Sequence, residues 1–319
     1  YSMYNALAKG EPFKVSDTEY TVALRDGAKF SDGKPVTAND VVKSYERSNK
    51  EGGLYSPMIS FIDSVEAKTD QEVTFNLKYP FPAFKERLAL IKVAPASMSN
   101  DELTAQPIGS GPWKYANITD QKVTFVKNDL YNGDYPAQCK NMVWNVAVDD
   151  TARVTAMQTG KVDVMELVPT LAFDVLQKKA ELKTVQSFNA PYIMFNTKQK
   201  PFDDPRVRQA VFYAIDAKQL IDNQMAGQAT PTTSYLIEEY PAYHKASTVF
   251  EHNVSKAKQL LEEAGVQTPI KFTLYSTDQS WITQLAPQIK NNLAEIGMDV
   301  DLQSMASSAL YPNITDRDD

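Results

Sequence analysis

Residues that carry most covalent and metal chemistry are scarce in this chain. Of 319 residues one is cysteine, Cys139. It excludes an internal disulfide and stands in no metal-ligand spacing. Two are histidines, His244 and His252, in a turn-rich stretch. Neither a Ser nucleophile elbow nor a His-x-x-x-His pair accompanies them, so a triad or zinc site lacks its parts. Solvated linker histidines are the expectation, with no enzyme activity, no cofactor and no metal. A positive net charge is also missing. The 33 Lys and Arg against 40 Asp and Glu leave −7, which argues against nucleic acid, whose phosphates need clustered cations. No apolar run approaches the ~20 residues that span a bilayer. Gly109-Ser-Gly111 is not followed by Gly-Lys-Ser/Thr, so a tight turn leading into Pro112-Trp113 is expected there rather than a phosphate loop. Tyr1-Ser-Met-Tyr-Asn5 carries no basic region and apolar core of a signal peptide, which leaves the compartment open.

What is present is ordinary globular composition, 43% hydrophobic and 23% charged, in a chain of 35.6 kDa with room for two or three domains. Aromatic residues are plentiful, with 16 Tyr, 14 Phe and 3 Trp. Most belong in cores, but Tyr and Trp also make the rigid amphipathic walls of a ligand cleft.

Local signals place the elements. Tyr20, Val22 and Leu24 alternate as a half-buried strand, with turns at Asp26-Gly27 and Asp32-Gly33. Thr37 with Asp40 reads as a capping pair for a helix burying Val41, Val42 and Tyr45. Residues 66–77 form two strands about the Thr69-Asp-Gln turn. Asp149 or Asp150 caps a helix that ends at Gly160, and Val162–Met165 is expected as a strand. Pro231–Tyr243 reads as a crossover or linker. Ala257, Leu260, Leu261 and Ala264 share a helix face closed by Gly265, and Ile270, Phe272 and Leu274 alternate as a strand. Trp281–Ile296 is expected as one helix kinked at Pro287, followed by a strand through Met298, Val300 and Leu302.

The most informative stretch is Tyr192–Asp216. Tyr192–Phe195 is a wholly apolar run expected to be a strand covered on both faces. Asp204-Pro205 is an N-cap with Pro at the first helical position, and Val207, Ala210, Val211 and Ala214 share one buried face. Asp216 with Gln219 resembles a second capping box. Arg206 and Arg208 oppose the helix dipole by roughly 0.3–1 kcal/mol each, so they need partners. Structural ion pairs to carboxylates such as Asp203 are expected, with ligand contact as the other reading. Asn196 stands where the expected strand ends, the position at which ligands approach open α/β sheets. Its amide can serve a turn or a peptide backbone.

The wording of this stretch, Phe195-Asn-Thr-Lys-Gln-Lys-Pro-Phe-Asp-Asp-Pro-Arg-Val-Arg-Gln-Ala-Val-Phe-Tyr-Ala-Ile-Asp216, closely resembles extracellular solute-binding proteins of family 5, which serve ABC importers of peptides, nickel and related solutes. Tyr20–Val42, Ile108-Gly-Ser-Gly-Pro-Trp113, Asp150–Asp163, Lys256–Gly265 and Leu293–Val300 match further motifs in the same order. The resemblance implies an α/β, two-lobed periplasmic-binding-protein-like (type II) fold with mixed sheets, an additional α+β subdomain and an incomplete second lobe. Residues 1–137 would be the accessory subdomain of lobe I, 138–230 its core, and 231–319 the first part of lobe II. Members begin earlier and continue past residue 319, so the chain reads as truncated at both ends. The implied function is extracytoplasmic capture of a small ligand, a di- or oligopeptide first, by closure of two lobes, and delivery to permease subunits. Nickel chelates, haem, oligosaccharides and opines stay open as ligands, and a hydrolase or sensor derived from the scaffold is the rival class. A monomer is expected, periplasmic or anchored as a surface lipoprotein. In the resembled family Asn196 lies beside the cleft, and Tyr55 stands where some peptide binders place a cleft tyrosine. Trp113 and Tyr192 complete the candidate ligand contacts.

Overall fold

The computed structural model describes residues 3–315. The chain divides into two compact units, one up to Val146 and one from Ala147 on.

In the first unit, β1 (Phe13–Lys14), β2 (Glu19–Ala23), β3 (Ile62–Thr69) and β4 (Glu72–Leu77) form an antiparallel sheet in the order β1-β2-β4-β3. Val22 faces Val73 and Tyr20 faces Phe75, so the alternating apolar residues fall on one face. Helix α1 (Ala38–Ser48) covers that face with Ala38, Val41 and Tyr45, and the Tyr45 hydroxyl donates to the Ile62 carbonyl at 2.9 Å. Burial pushes the Tyr45 phenol above its usual range. Phe30, Val36, Ile59, Val73 and Phe75 fill the core, each worth roughly 1.5–3 kcal/mol of transfer free energy if fully buried.

Asp40 starts α1 in the expected manner. One carboxylate oxygen accepts from the Thr37 backbone N–H and hydroxyl, each at 2.8 Å, while the other accepts from the Ala96 N–H at 2.7 Å. Short helices α2 (Ser56–Ile59), α3 (Phe84–Leu88) and α4 (Asn100–Ala105) lie along the connections. The glycine turn then enters a three-stranded antiparallel meander, β5 (Trp113–Ile118), β6 (Lys122–Lys127) and β7 (Asn141–Asn145). Buried Asn128 fixes that turn, its amide donating to the Gly111 carbonyl at 2.8 Å. Pairing of β7 with β6 keeps residues 141–145 in the first unit.

The second unit contains α5 (Asp150–Gln158), a 3-10 turn (Thr170–Ala172), α6 (Phe173–Leu176), α7 (Pro205–Ala214), α8 (Ala217–Gln224), α9 (Val254–Glu263), β8 (Ile270–Thr277), α10 (Ser280–Thr283), α11 (Ala286–Ala294), β9 (Met298–Met305) and α12 (Ser307–Thr315). Asp149 caps α5 by accepting the Ala152 N–H at 2.7 Å, and Gly160, at φ +69°, follows its end. β8 and β9 pair in parallel from Ile270↔Met298 to Thr277↔Met305. Helices α7, α9 and α11 supply the apolar side chains that bury one face of this pair: Val207, Ala210, Val211, Ala257, Leu260 and Leu293 pack with Ile270, Met298 and Val300. This core draws on both sides of the turn-rich 231–243 stretch, since α7 precedes it and α9 follows it.

Four expectations are corrected. Tyr192–Phe195 and Val162–Met165 are not strands. A strand exists through its ladder, and neither run has one among the described residues. Ile193 and Phe195 turn to the core while Tyr192 and Met194 stay exposed, so one side of the first run is covered rather than two. Trp281–Ile296 is two helices, because Pro287 occupies the first turn of α11, where its missing N–H costs nothing, instead of a helix middle. The Asp216 capping box is half made. Asp216 accepts the Gln219 N–H at 2.9 Å, but Gln219 spends its own side-chain oxygen on Gln288 at 2.7 Å.

Candidate functional site

Asn196 is positioned from both sides. The preceding Phe195 ring packs on Phe202 at 5.5 Å between centroids, and Phe202 stands edge-on to Phe272 of β8 at 5.0 Å. After it the chain turns: Asn196 Oδ1 accepts the Lys198 N–H at 3.1 Å and the Asn196 carbonyl accepts the Gln199 N–H at 3.3 Å. Its acceptor therefore serves the turn, and its amide N–H donors have no partner among the described residues. Asn196 is half-buried.

Tyr192, four residues earlier, is exposed, its ring 5.9 Å from that of Tyr235. Nearby in sequence, Phe188 meets Tyr240 at 5.0 Å. Tyr235 and Tyr240 escaped the sequence reading; the available signal was three tyrosines within the turn-rich 231–243 stretch. The other two candidates belong to the first unit. Tyr55 is the partly exposed N-cap of α2, and half-buried Trp113 opens β5 opposite Lys127.

The arginines at the start of α7 are satisfied locally. Arg206 pairs with Asp204 at 2.6 Å and reaches the Glu263 carbonyl at the end of α9, also at 2.6 Å. The expected carboxylate, Asp203, is replaced in this pair by its neighbour, because Asp204 as N-cap already points along the helix toward Arg206. Asp203 contributes its backbone carbonyl, which with that of Phe202 accepts from Arg208 at 3.1 and 2.6 Å. Hydrogen bonds from the Arg206 guanidinium, and then from its backbone N–H, hold the Asp204 carboxyl down at about 2, and the side-chain bond to Asp204 pushes the guanidinium up.

Other features are not brought to these residues. Open grooves of about 430 and 460 Å³ are lined, respectively, by Lys271, Lys290, Asp299 and Asp301, and by Lys34, Asn39 and Lys43. None of the four candidates lines either. His252 Nδ1 lies 3.0 Å from the Ala214 carbonyl, and His244 is exposed. Among the described residues no group of three or more His, Cys, Asp or Glu is placed to hold a metal ion, and no helix is long and apolar enough to cross a membrane.

The glutathione-binding protein GsiB of Pectobacterium atrosepticum is 33% identical over 322 residues, covering 95% of this chain and 61% of that protein. The chain thus spans about three fifths of the length of that relative. Among solved structures, the periplasmic binding protein AgaA of A. tumefacien R10, in complex with agropinic acid, superposes with a TM-score of 0.81 at 29% identity, over 98% of this chain and 66% of that one. The oligopeptide-binding protein AppA of Bacillus subtilis, in complex with a nonapeptide, gives 0.78 at 28% identity, over 95% and 66%. These neighbours have the type II periplasmic-binding-protein fold of mixed α/β content, and this chain shares it. The family model of the bacterial extracellular solute-binding proteins, family 5 Middle, matches residues 2–319, and the chain belongs to that family.

Proposed function

We propose that this chain captures a short peptide or peptide-like solute outside the cytoplasm and presents it to the permease of an ABC importer. The observation that carries the reading is the family match across residues 2–319, joined to relatives whose named ligands, glutathione and a nonapeptide, are peptides. Agropinic acid on AgaA favours an opine as the second ligand class. Capture without turnover fits a chain with two histidines and one exposed cysteine.

On this reading the amide N–H groups of Asn196 donate to a solute carbonyl, and Tyr192, Tyr55 and Trp113 offer ring faces. Residues 1–137, 138–230 and 231–319 serve as accessory subdomain, core of the first lobe and start of the second. The protein works as a monomer, periplasmic or lipid-anchored at the cell surface.

Thermal denaturation with glutathione, peptides of two to nine residues, agropinic acid and nickel–histidine tests the proposal. A peptide at a hundredfold excess over its dissociation constant should stabilise by about 2.7 kcal/mol. Asn196→Ala should weaken that ligand about tenfold, the worth of one lost hydrogen bond to a carbonyl. A melting temperature that no peptide raises would remove the peptide reading.

A further inference from the structure

We propose that the loop 230–243 and the segment 186–192 form a recognition surface for a positively charged group of the solute, an ammonium or a guanidinium. This deepens the solute-capture reading and rests on it for the ligand being a small solute.

The surface consists of two aromatic pairs, Phe188 with Tyr240 at 60° between ring planes and Tyr192 with Tyr235 at 53°. Tyr235 and Tyr192 keep 80% and 64% of their area in solvent, so their rings serve no core. Their display is fixed from beneath. Ile237 is buried, the Thr233 and Tyr243 hydroxyls meet at 3.0 Å, and Ser234 Oγ donates to the Leu236 carbonyl at 2.8 Å. Thr230 Oγ1 meets Gln186 Oε1 at 3.2 Å and ties the loop to the segment beside it. Ordered rings that stay wet form a rigid wall without further entropy cost on binding.

Charge selects the occupant. Glu238 and Glu239 stand between the two tyrosines in sequence, exposed, with no ion pair or hydrogen bond among the described residues. The next lysine along the chain, Lys245, follows the tethering Tyr243. An anion would be repelled here, and an apolar group would leave both carboxylates unused. A cation gains from the ring faces and the carboxylates together.

The test titrates the protein, with carbon-13-labelled tyrosine rings, with N-acetyl-arginine amide and with N-acetyl-citrulline amide, probes of one shape that differ in charge. The Tyr192 and Tyr235 signals should move with the arginine probe and stay with citrulline. Tyr235→Ala should weaken the arginine probe about fivefold, as loss of an exposed cation–π contact does, while Tyr235→Phe retains binding. The double change Glu238→Gln and Glu239→Gln should weaken it as well. Equal response to both probes, or unchanged affinity in Tyr235→Ala, overturns the proposal. If the arginine probe binds selectively while no peptide raises the melting temperature, the cation surface stands and peptide capture falls. If peptides bind and the probes are not distinguished, only the cation surface falls.

Discussion

The backbone N–H of Asp216 donates to the side-chain oxygen of Asn292, 76 positions later, at 3.3 Å. Asn292 is 3% exposed and lies on α11, so an amide from another helix completes the cap that Gln219 leaves open. Asn292→Ala should therefore orphan a donor at the start of α8 and destabilise the protein by about 1–3 kcal/mol. Urea unfolding should show a lower midpoint with unchanged slope. An unaltered midpoint would mean that water replaces the amide without cost.

Asp204 predicts an acid response. Its carboxyl is held at about 2 by Arg206, below the ~3.9 of an unfolded aspartate. The depressed value means that the contribution is fully present above about pH 4 and is lost as pH falls toward 2. Asp204→Asn retains a good N-cap but removes the titrating group. Its melting temperature should fall less steeply than that of the unaltered protein between pH 4 and pH 2. Parallel curves in that window would assign the acid sensitivity elsewhere.

Asp40 anchors the segment around Ala96 to the start of α1 through one side chain. Asp40→Ala leaves the Thr37 and Ala96 N–H groups without their acceptor and should cost about 1–3 kcal/mol. Hydrogen exchange at Ala96 should accelerate beyond what the global loss explains. Exchange that tracks global unfolding alone would show that Ala96 is protected by other packing.

Pro287 discriminates between two helical arrangements. Were it in the middle of one long helix, Pro287→Ala would relieve a break worth about 3 kcal/mol and stabilise the protein. In the first turn of α11 its fixed φ suits the helix, so the change should stay within about 1 kcal/mol and add no helix by circular dichroism. A large gain in helicity would contradict the break at residues 284–285.

The chain's local grammar was legible where cause and effect lie within a few residues. Asp149, Asp204 and Asp216 each accept an N–H two or three positions on, as their side chains' reach dictates. Gly265 and Gly297 carry positive φ after α9 and α11, where a Cβ would be strained. The alternation of Ile270, Phe272 and Leu274 against Met298, Val300 and Leu302 foretold the faces of β8 and β9, although not that they would pair in parallel. For Asn196 the sequence presented two readings, and the structure shows one half of the amide engaged in the turn and the other half without a partner among the described residues.

Residue order alone thus determined the family, the N-caps of α5, α7 and α8 and the buried face of α7, because caps and periodicity act between neighbours along the chain. Tertiary structure decided what depends on distant partners. Tyr192–Phe195 has strand-like residues yet no ladder among the described residues, since backbone pairing requires a second segment at about 4.8 Å. Asn292 capping α8, Arg206 reaching Glu263 and Tyr235 meeting Tyr192 join residues between 43 and 76 positions apart. No pattern of neighbours encodes such contacts; they follow only once the cores have brought the helices and loops together.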